Sequence, residues 1–249
     1  MNRHIFIYFT VAAITVAATY TSCQKDDNDN VKVKLLETMT YPDGSYYKYE
    51  YDSQHRIMKW SRYYSNSEFS EFTITYSGNV LTKMTFSPSN HSYEFAKDGN
   101  KITNEETIGS TVYTRTIYLN SDGLLEKEIY EEEVYSYIRN YLYDNGNLVK
   151  WIWESAWIEG EDKGEENSIR EFKYDNNKSP MYHCKTPKWF LIWNFSIMGS
   201  QNNVTEEKYS ETITTYEYEY DSEGFPTKRT QINNGVVTEY VTEYRYMEL

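Results

Sequence analysis

One short phrase recurs along this chain: a tyrosine-rich run closed by Tyr-Asp or a near equivalent, then a turn, an aliphatic residue and a lysine. It reads YEYDSQHRIMK from Tyr49, TYSGNVLTK from Thr75, YLYDNGNLVK from Tyr141 and YEYDSEGFPTK from Tyr218, with weaker copies from Phe95, Tyr118 and Phe172. Seven units spread over most of 249 residues point to a fold that stacks one supersecondary unit. Inside the unit the period is two. Tyr47, Tyr49 and Tyr51 share one face while Lys48 and Glu50 take the other, and the alternation returns at Phe72, Ile74 and Tyr76 and at Tyr216, Tyr218 and Tyr220. The Asp or Asn that follows accepts from backbone N–H groups just ahead, and a glycine such as Gly123 or Gly224 supplies a positive φ. The chain then re-enters through Ile57-Met58-Lys59, Leu81-Thr82-Lys83 or Leu148-Val149-Lys150. The unit is a β-hairpin.

Consecutive units begin two strands and two turns apart, so the simplest topology is an antiparallel meander of hairpins. Open sheets of more than about ten strands curl. The expectation is therefore an all-β, strongly twisted or curled open sheet, one domain over residues 35–249. Two gaps exceed the repeat spacing. One holds EGEDKGEE, Glu159 to Glu166, and reads as an acidic hairpin loop. The other holds the longest apolar stretch after the N-terminal region, Trp189 to Met198 between Pro187 and Gly199, which predicts one short helix near 188–198 plugging one face or end of the sheet.

At the N-terminus, Asn2, Arg3 and His4 precede an apolar run from Ile5 to Ala18, then small and polar residues lead to Cys23. That is a signal-peptide layout over residues 1–22, and the run is shorter than the ~20 residues a spanning helix needs. Residues 23–34 then read as a flexible acidic tether. Thr21-Ser22-Cys23 resembles the lipobox of bacterial lipoproteins, and Lys25-Asp26-Asp27 resembles the export signal of Bacteroidetes surface lipoproteins. The resemblance implies lipidation of Cys23, a membrane contact through that lipid, and an outer-membrane location facing the exterior. Stable anchoring takes more than one acyl chain, at about 0.8 kcal/mol per buried methylene.

The pairs Tyr51-Asp52, Tyr143-Asp144, Tyr174-Asp175 and Tyr220-Asp221, with the turn Ser200 to Asn203 after the apolar stretch, resemble the YD-repeat class. That class is seen in rearrangement-hotspot proteins and in small Bacteroidetes surface lipoproteins of unknown function. The resemblance implies an all-β hairpin-repeat fold and no activity.

A net charge of −13 opposes nucleic acid and anionic lipid headgroups as partners. With Cys23 lipidated, only Cys184 remains, so no internal disulfide is expected. The four histidines are scattered and the acids of 159–166 lack calcium-loop spacing, so no metal or cofactor is expected. Neither a GxSxG elbow, an HExxH, a P-loop nor a CxxC occurs, and no catalytic residue is assigned.

Tyrosine rows suit half-buried sheet faces, and that is their commoner use. Exposed rings also make a platform for sugar rings or extended peptide, with phenol groups supplying hydrogen bonds. Trp151, Trp153 and Trp157 flank the acidic loop, and the first two share a strand face, so they are the leading ligand-binding candidates. The bland reading is that they pack on the helical plug. Trp60 with Tyr63 and Tyr64 forms a second candidate. The function expected is a non-enzymatic, surface-anchored binding or assembly module for glycan, peptide or protein. The alternatives are a carboxylate-dependent polysaccharide hydrolase and a structural spacer.

Overall fold

The computed structural model describes residues 33–65, 69–133, 135–157, 165–234 and 236–249, so the signal segment, most of the tether and most of the acidic loop lie outside the described residues. Eight strands come first: β1 (Lys34–Thr40), β2 (Tyr46–Tyr51), β3 (Ile57–Tyr63), β4 (Phe69–Ser77), β5 (Val80–Ser87), β6 (His91–Asp98), β7 (Lys101–Ile108) and β8 (Thr111–Leu119). Four more follow, β9 (Leu125–Glu131), β10 (Tyr135–Asp144), β11 (Asn147–Trp157) and β12 (Glu165–Lys178). A helix, α1 (Lys188–Phe195), runs into a 3-10 turn at Ser196–Gly199. The last strands are β13 (Asn202–Tyr209), β14 (Thr212–Tyr220), β15 (Pro226–Asn233) and β16 (Val236–Glu248). Lys34, which the sequence reading left in the tether, is the first residue of β1.

The meander is as expected, but the sheet is not open. β1 pairs antiparallel with β16, Lys34 opposite Glu248 and Met39 opposite Tyr244, so the sixteen strands close into a barrel. The physical reason sits in the repeat. Five hairpins and the β12–β13 pair carry a register shift at the end of their tyrosine-rich strand, at Glu50/Tyr51, Thr75/Tyr76, Tyr118/Leu119, Leu142/Tyr143, Lys173/Tyr174 and Glu219/Tyr220. A bulge bends its strand and increases local twist, and the same bend repeated along a long meander brings the first strand round to the last. Closure also removes both edges.

The repeat residues now have causes. Asp52 Oδ1 accepts from the N–H groups of Gln54 and Arg56 at 2.9 Å each, and Asn120 and Asp221 do the same in their turns at 2.9–3.0 Å. His55 holds the left-handed position, φ 63°, that Gly123 and Gly224 occupy in the sister turns. The tyrosine hydroxyls point inward and down, each donating to the backbone carbonyl at or near the start of the preceding strand. Tyr51 donates to Leu36, Tyr76 to Ile57, Tyr143 to Leu125, Tyr174 to Leu148, Tyr218 to Val204 and Tyr246 to Pro226, at 2.5–2.9 Å. This clasp explains tyrosine rather than phenylalanine, because a buried carbonyl left without a donor is costly.

The repeat lysines face outward. Lys59 meets Glu50 at 3.1 Å and Glu71 at 3.4 Å, Lys83 meets Glu94 at 2.8 Å, Lys150 meets Glu171 at 3.2 Å, and Lys228 meets Glu219 at 2.9 Å. Exposed apolar side chains such as Val112, Leu142 and Ile169 are interspersed among these charges and threonines. A transmembrane barrel shows the opposite arrangement, with an apolar outer band and a polar interior.

The apolar core lies inside, with the plug. α1, KWFLIWNF, is apolar at six of its eight positions, with Trp189 to Ile192 buried and Lys188 and Asn194 half-buried. Its Trp189, Phe190, Leu191 and Ile192 are buried against lumen residues from β3 to β9, with Phe190 edge-on to Trp60 and Phe95. The flanking segment closes the barrel end formed by the Tyr-Asp turns. Thr186 Oγ1 accepts from the Ile57 N–H at 2.8 Å, Ser200 Oγ from the Leu148 N–H at 3.2 Å, and Asn147 Oδ1 from the N–H groups of Gln201 and Asn202. The plug thereby satisfies strand ends that the bulges leave open.

Candidate ligand-binding site

Above the plug the inward face changes character. Toward the end opposite the Tyr-Asp turns, the period-two positions that carried tyrosine and aliphatic residues also carry arginine, Arg62 on β3, Arg115 on β8, Arg139 on β10 and Arg170 on β12, while Arg229 on β15 starts lower, opposite Tyr218 and beside Ile197 and Met198 of the plug segment. Register places each beside an aromatic or polar lumen residue, with Arg62 opposite Tyr47 and Ser70, Arg115 opposite Tyr130, Arg139 opposite Trp153, and Arg170 opposite Trp151 and Tyr209. The result is a girdle of cations around the inner wall of the barrel.

Each guanidinium lies over rings. Arg62 is 4.5 Å from the Tyr64 ring and 5.5 Å from Tyr47, Arg115 is 5.4 Å from Tyr130, and Arg229 is 5.1 Å from Tyr216. Arg139 sits 4.7 Å from Tyr137, 5.5 Å from Trp153 and 5.8 Å from Trp151; Arg170 sits 5.3 Å from Trp151 and 4.8 Å from Tyr209. Such stacking holds a cation by its flat face and leaves its N–H edge free to bond.

Three carboxylates stand among these cations. Glu128, 1% exposed, accepts from Tyr137 at 3.0 Å, Arg139 at 3.2 Å, Trp193 of the plug at 3.3 Å and Tyr141 at 3.4 Å. Glu207 takes Arg170 at 2.6 Å and Tyr216 at 3.1 Å. Glu106 takes Tyr93 at 2.7 Å, a ring nitrogen of His91 at 2.7 Å, and Arg115. Burial pushes the Glu106 carboxyl up, but the Tyr93 hydroxyl and the Arg115 charge outweigh it and hold the group below the ordinary carboxylate range. Burial pushes the Tyr137 and Tyr216 phenols up to about 12, so both remain neutral donors.

Arg62 and Arg229 have no carboxylate in salt-bridge contact among the described residues; Arg229 bonds only Thr242, at 3.2 Å. The Nε atoms of Arg62, Arg139, Arg170 and Arg229, and Nε1 of Trp153, are buried without an acceptor among the described groups. A wall so rich in N–H and O–H donors and ring faces is suited to hold an oxygen-rich ligand.

The sequence candidates divide. Trp151 and Trp153 do share the lumen face of β11, next to Arg139 and Arg170. Trp151 packs at the edge of the core, whereas Trp153 stands higher, edge-on to Tyr137 at 6.4 Å. Trp157 ends β11 at the rim opposite Tyr135, and its side chain and residues 158–164 lie outside the described residues. The carboxylates nearest the two tryptophans come from other strands, and the nearest in sequence, Glu154, is exposed on the outer face. The second candidate breaks up: Trp60 is buried and stacked on Phe72, Tyr63 stacks on Tyr46 on the outer face, and Tyr64 lies under Arg62 at the mouth. Sequence reasoning missed the arginines. Their signal was phase, as in Tyr137-x-Arg139-x-Tyr141 and Trp60-x-Arg62-x-Tyr64.

Among the described residues no cluster of His, Cys, Asp and Glu is placed to hold a metal. Cys184 is buried and free, and burial pushes its thiol up.

No family model matches this chain, and no curated protein matches it. Among solved structures it is similar to a porin-like protein from Bacteroides uniformis, at 16% identity and a TM-score of 0.46, covering 86% of this chain and 96% of that one. It is also similar to a porin-like protein from Bacteroides vulgatus, at 13% identity and a TM-score of 0.44, covering 86% and 99%. At that identity and score the likeness carries no inference about the site.

Proposed function

We propose that this chain is a non-enzymatic binding barrel, held by lipid on Cys23 at the outer membrane with its mouth toward the exterior, that takes a saccharide chain against Trp151 and Trp153. The observation that carries this reading is the pair of tryptophans on the lumen wall with two stacked arginines beside them, ring faces for the apolar side of a sugar and donors for its oxygens. Two further features support it. The outer wall bears Lys–Glu pairs, which suits a tethered barrel standing in water better than one embedded in lipid. β1 begins at the plugged end, where Lys34 bonds Asp221 of a Tyr-Asp turn, so the first described strand enters the barrel at the end away from the mouth.

The test is titration of the full chain, purified in detergent, against a broad polysaccharide panel, following tryptophan fluorescence and assaying each hit for released product. Saturable binding without product, lost in Trp153→Ala, is the expected result. Turnover would move the protein to the hydrolase class, and silence across the panel would remove the saccharide. Protease shaving of intact cells tests the location: the barrel should be accessible.

A further inference from the structure

We infer that the ligand of the mouth is an acidic saccharide, one carrying carboxylate or sulfate groups. The inference rests on the saccharide reading above and adds the charge that the sugar must bear. Among the described side chains the girdle holds five arginines and three glutamates, within a chain whose net charge is −13. The sorting of cations is the first argument. The repeat lysines stand outside in carboxylate pairs, while the mouth holds arginines. Arginine presents a planar fork that matches carboxylate and sulfate oxygens two at a time, and a cation wanted only for solubility has no need to face inward.

The second argument is the state of Arg62 and Arg229. Both are half-buried, both are held flat on tyrosine rings, and neither has a carboxylate in contact among the described residues. A cation kept in a partly dry wall loses hydration, and an anion that arrives there recovers it. Neutral sugars offer hydroxyls, which accept weakly; oxyanions offer charged acceptors, whose bonds to arginine are about twice as strong.

Nucleic acid would also supply oxyanions, but a densely charged polymer must approach past an acidic exterior, whereas a short saccharide with sparse charge pays little for that approach. The surplus charge of the mouth is local, inside walls that shield it from the outer field.

The experiment compares, on the full chain in detergent, three oligosaccharides of matched length, polygalacturonate, sulfated dextran and plain dextran, with a single-stranded DNA oligonucleotide as a fourth arm. Binding is read by tryptophan fluorescence at low and high salt, in the native chain and in Arg62→Gln, Arg229→Gln and Arg229→Lys. Thermal melts of each variant verify the fold. One or both acidic saccharides should bind at least tenfold tighter than plain dextran and weaken as salt rises. Each Gln variant should lose about tenfold, with Arg229→Lys in between. Which acidic arm binds tells carboxylate from sulfate. Equal binding of plain and acidic dextrans, unchanged in the Gln variants, would overturn the inference and leave the saccharide reading standing. Failure of all three saccharides would remove that reading itself. DNA binding as tight as the acidic saccharide would overturn the saccharide class.

Discussion

The two ends of the barrel use the same strands and the same period-two pattern for opposite purposes. At the plugged end the inward positions are aliphatic residues and tyrosines, six of which commit their hydroxyls to backbone carbonyls while Tyr220 donates to Asp175, and α1 fills the space between them. At the mouth the inward positions are rings and arginines, several of whose donors are uncommitted. The plugged end has its donors paired; the mouth leaves several without an acceptor among the described residues, and the proposed binding role rests on that difference. A structural tyrosine and a functional one are thus told apart by where the hydroxyl goes, which burial alone does not reveal.

If that division is right, substitutions in the plug should hurt stability most. Phe190→Ala removes a fully buried ring from the centre of the floor and should cost about 3–5 kcal/mol by denaturant titration. Trp153→Ala, in the half-open mouth, should cost clearly less. Equal losses would break the comparison. Next in size is Gly199→Ala: a Cβ there would lie 2.7 Å from the Ile192 nitrogen and the Leu191 carbonyl carbon, backbone atoms that cannot swing aside. A cost of about 1–3 kcal/mol and a lower melting temperature are expected.

The clasp is tested by a finer pair. Tyr143→Phe strands the Leu125 carbonyl and should cost about 1–3 kcal/mol. Tyr113→Phe at the mouth, where no carbonyl among the described residues depends on the hydroxyl, should stay within about 0.5 kcal/mol. Similar values for the two would mean that the hydroxyls of the repeat are incidental.

The smallest effect is on pH dependence. The folded-state value of Glu106 lies below the ordinary 4.5, so its contribution is complete above about pH 4.5 and is lost as the pH falls through the lower folded value. Asp52 and Asp221 in the turns shift the same way: burial raises them, but their hydrogen bonds to backbone and to Arg56 or Lys34 prevail. Acid melts of Glu106→Gln should therefore show a shallower loss of stability below pH 4.5 than the native chain, and the turn carboxylates should preserve the rest of that slope. An unchanged slope would show that Glu106 is not held by Arg115 and Tyr93.

Much of this was readable before any coordinates. The aromatic faces follow from period two, the turns from Asp and Gly at fixed places, and the plug from Pro187 and Gly199 around a stretch too apolar to sit in water. Closure was not readable, because it arises from a small bulge repeated in six strand pairs, and a one-residue register shift leaves no mark on composition. Trp151 and Trp153 stand out in the sequence because they share a strand face beside the acidic loop. The arginines were passed over because arginine is ordinarily a surface residue, and only their position in the aromatic phase of each strand separates Arg139 or Arg62 from a solvated charge.

The most direct test of a cationic lumen beside an acidic exterior is the rate of cysteine labelling by charged thiol reagents. Ser70 faces the mouth directly opposite Arg62, and Thr73, three residues on, is exposed on the outer face. Ser70→Cys and Thr73→Cys are each exposed to a negatively and a positively charged methanethiosulfonate. The account predicts that the anionic reagent is severalfold faster at Ser70→Cys and slower at Thr73→Cys. The same preference at both positions would contradict it.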